Sequence, residues 1–403
     1  MNTFGGALEP APVNQSRRWI IWGLIALGVV LAGIIGQQIY VRVAAVTSGD
    51  EAEDGMTPAL RATVAELKTF VEDERGLKFK EEVKVTLLSE KEFQEYISDA
   101  GNDPEAKAEA EEISGGQVVF EALGLIDKNV DLAAAGQKAA GQGILGWYDT
   151  EADQLFIRGN RVSPFLKTIL VHELTHALQD QHFDIVREDL YEADDDSSLG
   201  LEAVVEGDAT RVEFAYYESL TAEEERLVEL EANRAGDPTT PDIPEALLTV
   251  MGLPYEVGPI FLEALFQAGG TAKINEAIKN PPVTSEQLLY PDRYLNGEAA
   301  KPVAKPPADG EVVDDGMFSQ VALMVVLNEA MDPQTAFEAA DGWGGDQYVA
   351  WRNGDKSCVR FDMVMDSPKD QRELNTALRA WSRQHGSATV ATVGAATRMT
   401  ACA

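Results

Sequence analysis

The chain has 403 residues, of which 45% are hydrophobic and 25% are charged, a composition typical of a globular protein. This composition excludes a wholly disordered chain, a collagen-like fibre and a transporter with many membrane spans. The 68 acidic and 33 basic residues give a formal net charge of −35, which is repelled by phosphate backbones, so we expect no nucleic-acid partner.

The first 41 residues contain a long apolar stretch. Residues 19–36 carry no charge, and the segment 19–41 is long enough to cross a hydrocarbon core of about 30 Å as a helix. Arg17 and Arg18 precede it and acidic residues dominate the stretch after it, so the positive-inside rule places residues 1–18 in the cytoplasm. A cleaved signal peptide is the alternative, although its apolar core is normally shorter. We predict a single-pass anchor in the cell membrane, with the rest of the chain extracytoplasmic.

Two polar segments divide the rest of the chain, a linker over residues 42–56 and a Pro/Ala-rich linker over 301–310. Between them, residues 57–300 are predicted to form one domain with a few short strands and a helical second half. Residues 311–403 are predicted to mix helices and strands, and they either complete the preceding domain or stand alone. The sequence therefore predicts an α+β fold with one or two compact parts.

The elements of the first domain follow from apolar spacing and end signals. A helix starts at Thr57-Pro58, and alternation predicts a strand over 82–88. Two short strands over 143–148 and 154–158 flank a turn, which indicates a β-hairpin. Ser163-Pro164 then begins a helix to about Gln181, because Ser is a favourable N-cap and Pro suits the first helical position. Further helices are predicted over residues 199–220, 222–233, 243–251 and 256–279.

The helix that begins at Ser163 contains His172-Glu173-Leu174-Thr175-His176, an H-E-x-x-H motif. Residues four apart lie on one face of a helix, so both imidazoles can bind one metal ion. Imidazole suits Zn²⁺, which a catalytic site holds with three protein ligands and a water. Glu173 follows the first histidine and can take a proton from that water. We therefore predict one catalytic zinc ion, with His172 and His176 as ligands and Glu173 as general base.

Two residues compete for the third ligand position. His182 lies ten residues after His172, which is the metzincin spacing, but the glycine that turns the chain in that motif is Gln179 here. Glu206 lies on the next predicted helix, where a carboxylate completes a His₂Glu ligand set. Glu202, one helical turn earlier, either supports a ligand histidine or is a rival ligand. We favour Glu206, with His182 and a metzincin-type protease as the alternative.

The stretch from Leu170 to Asp184 and the segment Val205-Glu206-Gly207-Asp208-Ala209 resemble the bacterial H-E-x-x-H neutral zinc metallopeptidases of the gluzincin kind, a poorly characterised group. Looser similarity extends over roughly residues 80–365. The resemblance implies a membrane-anchored enzyme with a zincin-like fold, in which Glu206 completes the zinc ligands. Thermolysin-like enzymes carry an Asp four residues after that ligand, and this chain departs from them with Thr210. Support for a ligand histidine must then come from elsewhere, and Glu202, Asp208 and Glu213 are the candidates.

The resulting hypothesis is a peptidase that hydrolyses a peptide or protein substrate with metal-activated water, while an extended peptide adds to the edge of the hairpin strand that precedes the helix of the motif. A further group should stabilise the oxyanion, and the sequence leaves four candidates: Tyr216, Tyr217, Tyr290 and His385. Two alternatives stay open. One is a catalytically silent, membrane-tethered binding protein, and the other is a metal hydrolase that acts on a non-peptide bond.

The two cysteines of the chain, Cys358 and Cys402, both lie on predicted strands near the C-terminus. In an exported segment they can form a disulfide that ties the C-terminus down. Two separate buried thiols are the alternative.

Overall fold

In the computed structural model, the described residues are 56–93, 95, 115–150, 152–159, 161–191, 193, 195–235 and 243–403. The predicted tail (1–18) and membrane segment (19–41) lie outside this part of the chain, as does the linker 42–56 except for its last residue. The described residues form helices and two small sheets, which confirms the predicted α+β class.

The first part of the chain surrounds a small sheet with helices. Its elements are α1 (Pro58–Arg75), β1 (Lys84–Leu88), α2 (Leu132–Gly143), β2 (Gly146–Asp149), β3 (Gln154–Arg158), α3 (Pro164–Phe183), α4 (Glu188–Tyr191), α5 (Ser197–Glu218), α6 (Ala222–Ala235), α7 (Glu245–Gly269), α8 (Thr271–Lys279), α9 (Ser285–Leu289) and α10 (Pro291–Leu295). The sheet has the order β1-β3-β2, with β1 parallel and β2 antiparallel to β3. The predicted hairpin is present, and β3 is the central strand rather than an edge.

Helix α3 lies at the centre of this part. Ser163 caps it by accepting a hydrogen bond from the Leu166 N–H, Pro164 occupies its first turn, and Asp184 ends it in the left-handed conformation. Nearly every residue from Phe165 to Gln179 is buried, because α3 packs against α1, α5, α6 and the hairpin. A polar motif inside such a helix therefore lies in the protein interior.

Helix α7 corrects the prediction of two separate helices over 243–251 and 256–279. It runs unbroken from Glu245 to Gly269 and contains Pro254 and Pro259. An internal proline costs roughly 3 kcal/mol, but α7 packs along α5 and buries Phe261, Leu262 and Leu265 in the hydrophobic cluster that the two helices share. Among the described residues, α7 is long and apolar enough to cross a membrane by length and composition, and 44% of its most apolar stretch is buried in the protein.

The last hundred residues form a second layer of strands and helices. They comprise β4 (Glu311–Gly316), α11 (Gln320–Asn328), α12 (Pro333–Ala340), β5 (Trp343–Asn353), β6 (Lys356–Met365), α13 (Pro368–Gln384), β7 (Thr389–Val393) and β8 (Ala396–Cys402). The strands form an antiparallel sheet of order β4-β5-β6-β8-β7. Strand β4 directly follows the predicted linker over 301–310, and the first helix of this part begins at Gln320.

The core of this second layer also includes a segment that precedes the H-E-x-x-H motif by about fifty residues. A helical turn over residues 115–123 contributes Val118 and Leu123 to the same hydrophobic cluster as Trp343 and Trp381. In that segment, Glu121 is buried and contacts Arg352 at 2.9 Å. Residues 311–403 and the segment 115–123 therefore share one core.

Candidate metal centre

Two helices bring the predicted ligands together. His172 and His176 lie one turn apart on α3, and Glu206 faces them from α5. The Glu206 Oε2 atom is 3.1 Å from His172 Nε2 and 3.3 Å from His176 Nε2. One potential ligand atom from each side chain lies within 4.8 Å of those of the other two. The three side chains form a compact N, N, O donor set of the kind that zinc prefers.

The charges of this cluster stabilise one another. Burial disfavours the charged form of Glu206, but the neighbouring His176 and His172 favour that form more strongly. They lower the pKa of Glu206 to about 2. Burial likewise opposes the imidazolium of His172, yet hydrogen bonds to Glu206 and Glu213 raise its pKa to about 10. The buried carboxylate thus requires a positive charge beside it, which a proton or a metal ion can supply.

Glu173 lies beside the cluster and is only 1% exposed. Its Oε1 atom has no hydrogen-bond partner among the described residues, and burial raises the pKa of this carboxyl group. Strand β2 passes directly over it at Gly146, where an added Cβ would lie 3.0 Å from the Glu173 Cγ atom. The same Cβ would lie 2.7 Å from Ile157 Cδ1 and 2.8 Å from Ile169 Cγ2, so a glycine suits this close packing of the strand beside Glu173.

A carboxylate orients the first histidine. Glu213, two turns after Glu206 on α5, is buried, and its Oε2 atom lies 3.1 Å from His172 Nδ1. Because Nδ1 donates to this carboxylate, Nε2 is left to face Glu206. Glu213 therefore occupies the supporting role that the departure at Thr210 left open.

A longer chain of buried polar groups orients the second histidine. His176 Nδ1 lies 3.0 Å from Gln179 Oε1, and the Gln179 amide donates to Asp208 Oδ2 at 2.9 Å and to the Val205 carbonyl at 3.0 Å. Asp208 in turn forms a fully buried ion pair with Arg75, at 2.7 Å. The relay reaches from α3 through α5 to the end of α1. Gln179, which stands at the metzincin glycine position, is thus part of a helix and contacts His176.

A close crossing of α5 and α7 brings a residue to the site that the sequence analysis missed. An added Cβ on Gly207 would lie 2.5 Å from the Gly258 carbonyl carbon, and one on Gly258 would lie 2.1 Å from the Ala203 oxygen. Tyr255, about one turn before Gly258, is buried and hydrogen-bonded to Glu206. Burial, together with the negative charge of Glu206, raises the pKa of Tyr255 well above its ordinary value. The pair of glycines was the only sequence signal for this contact.

The structure does not bring the remaining candidates to the cluster. His182 lies in the last turn of α3, with Nε2 2.8 Å from the Lys78 carbonyl oxygen. Tyr216 packs edge-on against Phe70, and Tyr217 belongs to the same hydrophobic core. Tyr290 donates to Asp341 at 2.7 Å, and His385 stacks on Trp381.

Glu202 lies one turn before Glu206 and outside the compact ligand group. It is partly exposed, and burial together with the charge of Glu206 raises its pKa to about 7. A second acidic group, Glu286 with Glu298 and Asp366, lies elsewhere in the fold. Arg293 lies at its centre, within 3.1 Å of each carboxylate, so the charges of that group are already compensated.

The cysteines pair as a disulfide. Cys358 on β6 and Cys402 on β8 lie opposite each other in the register of the sheet and are bonded. The bond attaches the C-terminal strand to the centre of the second layer.

Comparison with known proteins adds little about the metal centre. A family described as "Domain of unknown function (DUF8575)" matches residues 308–401, which cover the five-stranded sheet and its helices. No curated protein matches the chain, and no solved structure matches it. The matched family does not include the residues of the cluster.

Proposed function

We propose that this chain is a zinc-dependent peptidase with a zincin-like fold of the gluzincin kind. The observation that carries the proposal is the convergence of His172, His176 and Glu206, from two helices, beside the buried carboxylate of Glu173, whose Oε1 atom has no partner among the described residues. Three protein donors are the number that a catalytic zinc site provides, whereas a structural zinc site provides four, so these residues would hold a zinc ion able to activate water. The buried supports of both histidines are also typical of metal sites.

The chemistry divides among the side chains. A zinc ion held by the three ligands supplies Lewis-acid activation of a carbonyl group and of a water molecule. Glu173 takes the proton of the water as its oxygen attacks the carbonyl carbon, and passes that proton to the amine nitrogen when the C–N bond breaks. The hydroxyl group of Tyr255 is hydrogen-bonded to Glu206, one of the three proposed ligands. We therefore assign Tyr255 as the donor to the oxyanion, in place of Tyr216, Tyr217, Tyr290 and His385.

An edge strand offers a binding surface for an extended peptide. The Arg158 N–H donates to the Leu145 carbonyl at 2.8 Å, so the alternation of an antiparallel pair directs the backbone groups of Gly146 and Tyr148 away from β3. Within the described residues, no strand pairs with that edge of β2. A peptide added there as a further strand passes over Glu173, because Gly146 lies against this side chain.

We further propose that the enzyme is attached to the cell membrane through residues 19–41 and acts outside the cytoplasm. The uncharged run 19–36 supports an anchor. The bond between Cys358 and Cys402 supports an oxidising compartment, because such bonds are rare in cytosolic proteins.

The test is metal content and cleavage by the full-length chain, purified in a mild nonionic detergent without chelators. We expect one zinc per chain by elemental analysis, lost in Glu206→Ala and kept in His182→Ala. Glu173→Gln should keep zinc and lose cleavage of a peptide library. Absence of zinc from the wild-type chain contradicts the enzyme hypothesis, and zinc loss in His182→Ala alone supports the metzincin alternative. Stoichiometric zinc without cleavage of any peptide favours a binding protein or a hydrolase of another bond.

A further inference from the structure

Glu202 is a carboxylate of the site that the proposed zinc chemistry does not use. It lies four residues before Glu206 on α5, so both side chains project from the same face of the helix. It is not a member of the compact ligand group, so the three ligands are complete without it. It lies one helical turn from Glu206, the carboxylate that Tyr255 contacts. The side chain is therefore beside the reacting centre and free for another task.

The exposure of the site residues indicates where a substrate enters. His172, Glu173, Glu206 and Tyr255 are all buried. Glu202 and His176 alone among these six residues keep partial contact with solvent. A molecule arriving from solvent therefore meets Glu202 before it reaches Glu173.

The charges around Glu202 are negative. In the part of the chain that the structure describes, no lysine or arginine forms an ion pair with it, and Arg75 and Arg211 pair instead with Asp208. The site already holds the carboxyl groups of Glu173, Glu206 and Glu213, which are buried. Glu202 adds a fourth carboxyl group in a region of low dielectric constant, where a cation beside it favours its ionised form and is attracted by it.

We propose that Glu202 binds a cationic group of the substrate, so that the preferred substrates are peptides with an ammonium or guanidinium group close to the cleaved bond. The inference rests on the proposed function, because it assigns a substrate class to the same site. The cation has two sources in a peptide, the free α-amino group of the first residue or a lysine or arginine side chain. The first source makes the enzyme an aminopeptidase and the second makes it an endopeptidase with a basic preference.

Binding to an inactive protein tests the proposal without relying on turnover. The probes are three kinds of peptide that share one neutral core sequence containing norleucine. The first is acetylated and neutral, and the second is the same peptide with a free N-terminus. The third is acetylated and carries a lysine in place of norleucine, at each core position in turn. Isothermal titration uses the zinc-loaded, full-length Glu173→Gln protein. We expect one cationic probe to bind about tenfold more tightly than the neutral peptide, because a partly buried ion pair contributes a gain in affinity of this order.

Two further variants show whether Glu202 is responsible. Adding Glu202→Gln should remove the preference for the cationic probe while zinc content stays at one per chain. Adding Glu218→Gln, which neutralises an exposed carboxylate at the far end of the same helix, should leave the preference intact. Equal affinity for cationic and neutral probes, a preference that survives Glu202→Gln, or no binding of any probe overturns the proposal. Failure of the proposed function is distinguishable, because it appears as absent zinc or absent cleavage by the wild-type chain.

Discussion

The crossing of α5 and α7 makes a sharp prediction about Gly258. A Cβ at this position would lie 2.1 Å from the Ala203 carbonyl oxygen, where an ordinary contact is at least 3.4 Å. The obstructing atom belongs to the backbone of α5, so no side-chain rotation relieves the clash. Gly258→Ala therefore has to separate the two helices by roughly 1 Å, a gap that already forfeits a quarter to a half of each dispersion contact.

The magnitude follows from two opposing effects. Overpacking costs up to about 3 kcal/mol, and the upper end applies when backbone has to move. Alanine is itself the better helix former, by about 0.5–1 kcal/mol. We therefore expect Gly258→Ala to destabilise the protein by about 2 kcal/mol. The separation also moves Tyr255 away from Glu206, so peptidase activity should fall by more than the loss of folded protein explains.

A glycine on the same helix provides the matched control. An added Cβ on Gly252 meets no atom within 4 Å, so Gly252→Ala should stabilise the protein by about 0.5–1 kcal/mol. Urea unfolding of both full-length variants, followed by far-ultraviolet circular dichroism, should show a difference of about 3 kcal/mol, or roughly 6–12 °C in Tm. Equal stability of the two variants would falsify the reasoning about the crossing.

Three further predictions concern other contacts. Gln179→Leu removes the hydrogen bond to His176, the second proposed ligand histidine, and should weaken zinc binding about 10–100-fold in a chelator competition. The control Gln181→Leu on the same helix should leave zinc affinity unchanged. Equal zinc affinities of the two variants would contradict the role of Gln179. Burial raises the pKa of Asp196 from 3.8 to about 7, so its contribution to stability is present below pH 4 and lost as the pH rises through 7. Asp196→Asn keeps an acceptor for the Ser285 N–H and should make unfolding less sensitive to pH over that window, by up to about 4 kcal/mol; an unchanged pH profile argues against the shift. Replacing Cys358 and Cys402 by serine opens a loop of 44 residues and should cost about 4 kcal/mol in chemical denaturation, and a stability equal to that of the oxidised protein contradicts this estimate.

Local signals in the sequence were enough to predict the active helix and the hairpin. Ser163 and Pro164 mark the start of α3, and the turn between β2 and β3 is rich in turn-forming residues. Such signals depend on a few neighbouring residues and are visible without the fold. Strand β4 escaped prediction because its acidic, exposed sequence resembles a linker, and it becomes a strand only by pairing with β5.

Contacts between segments that lie far apart in the sequence could not be predicted from local patterns. Pro254 indicated a helix end, yet α7 continues through it because packing against α5 outweighs the lost hydrogen bond. Tyr255 lies 49 residues after Glu206, and no local pattern connects the two. The helical turn over 115–123 joins a core whose other members lie some two hundred residues later.

The sequence by itself determined which side chains share a helix face, because the spacing of His172, Glu173 and His176 is converted to geometry by the helical repeat alone. It also indicated Glu206 as the favoured third ligand, with Glu202 and His182 as alternatives. Only the tertiary structure shows which of these lies against both histidines, since the position of Glu206 depends on how α5 packs against α3 and α7. The supports of the two histidines, Glu213 and Gln179, were decided in the same way. A hydrogen bond between helices is a property of their packing, and packing is set by the whole chain rather than by any one segment of it.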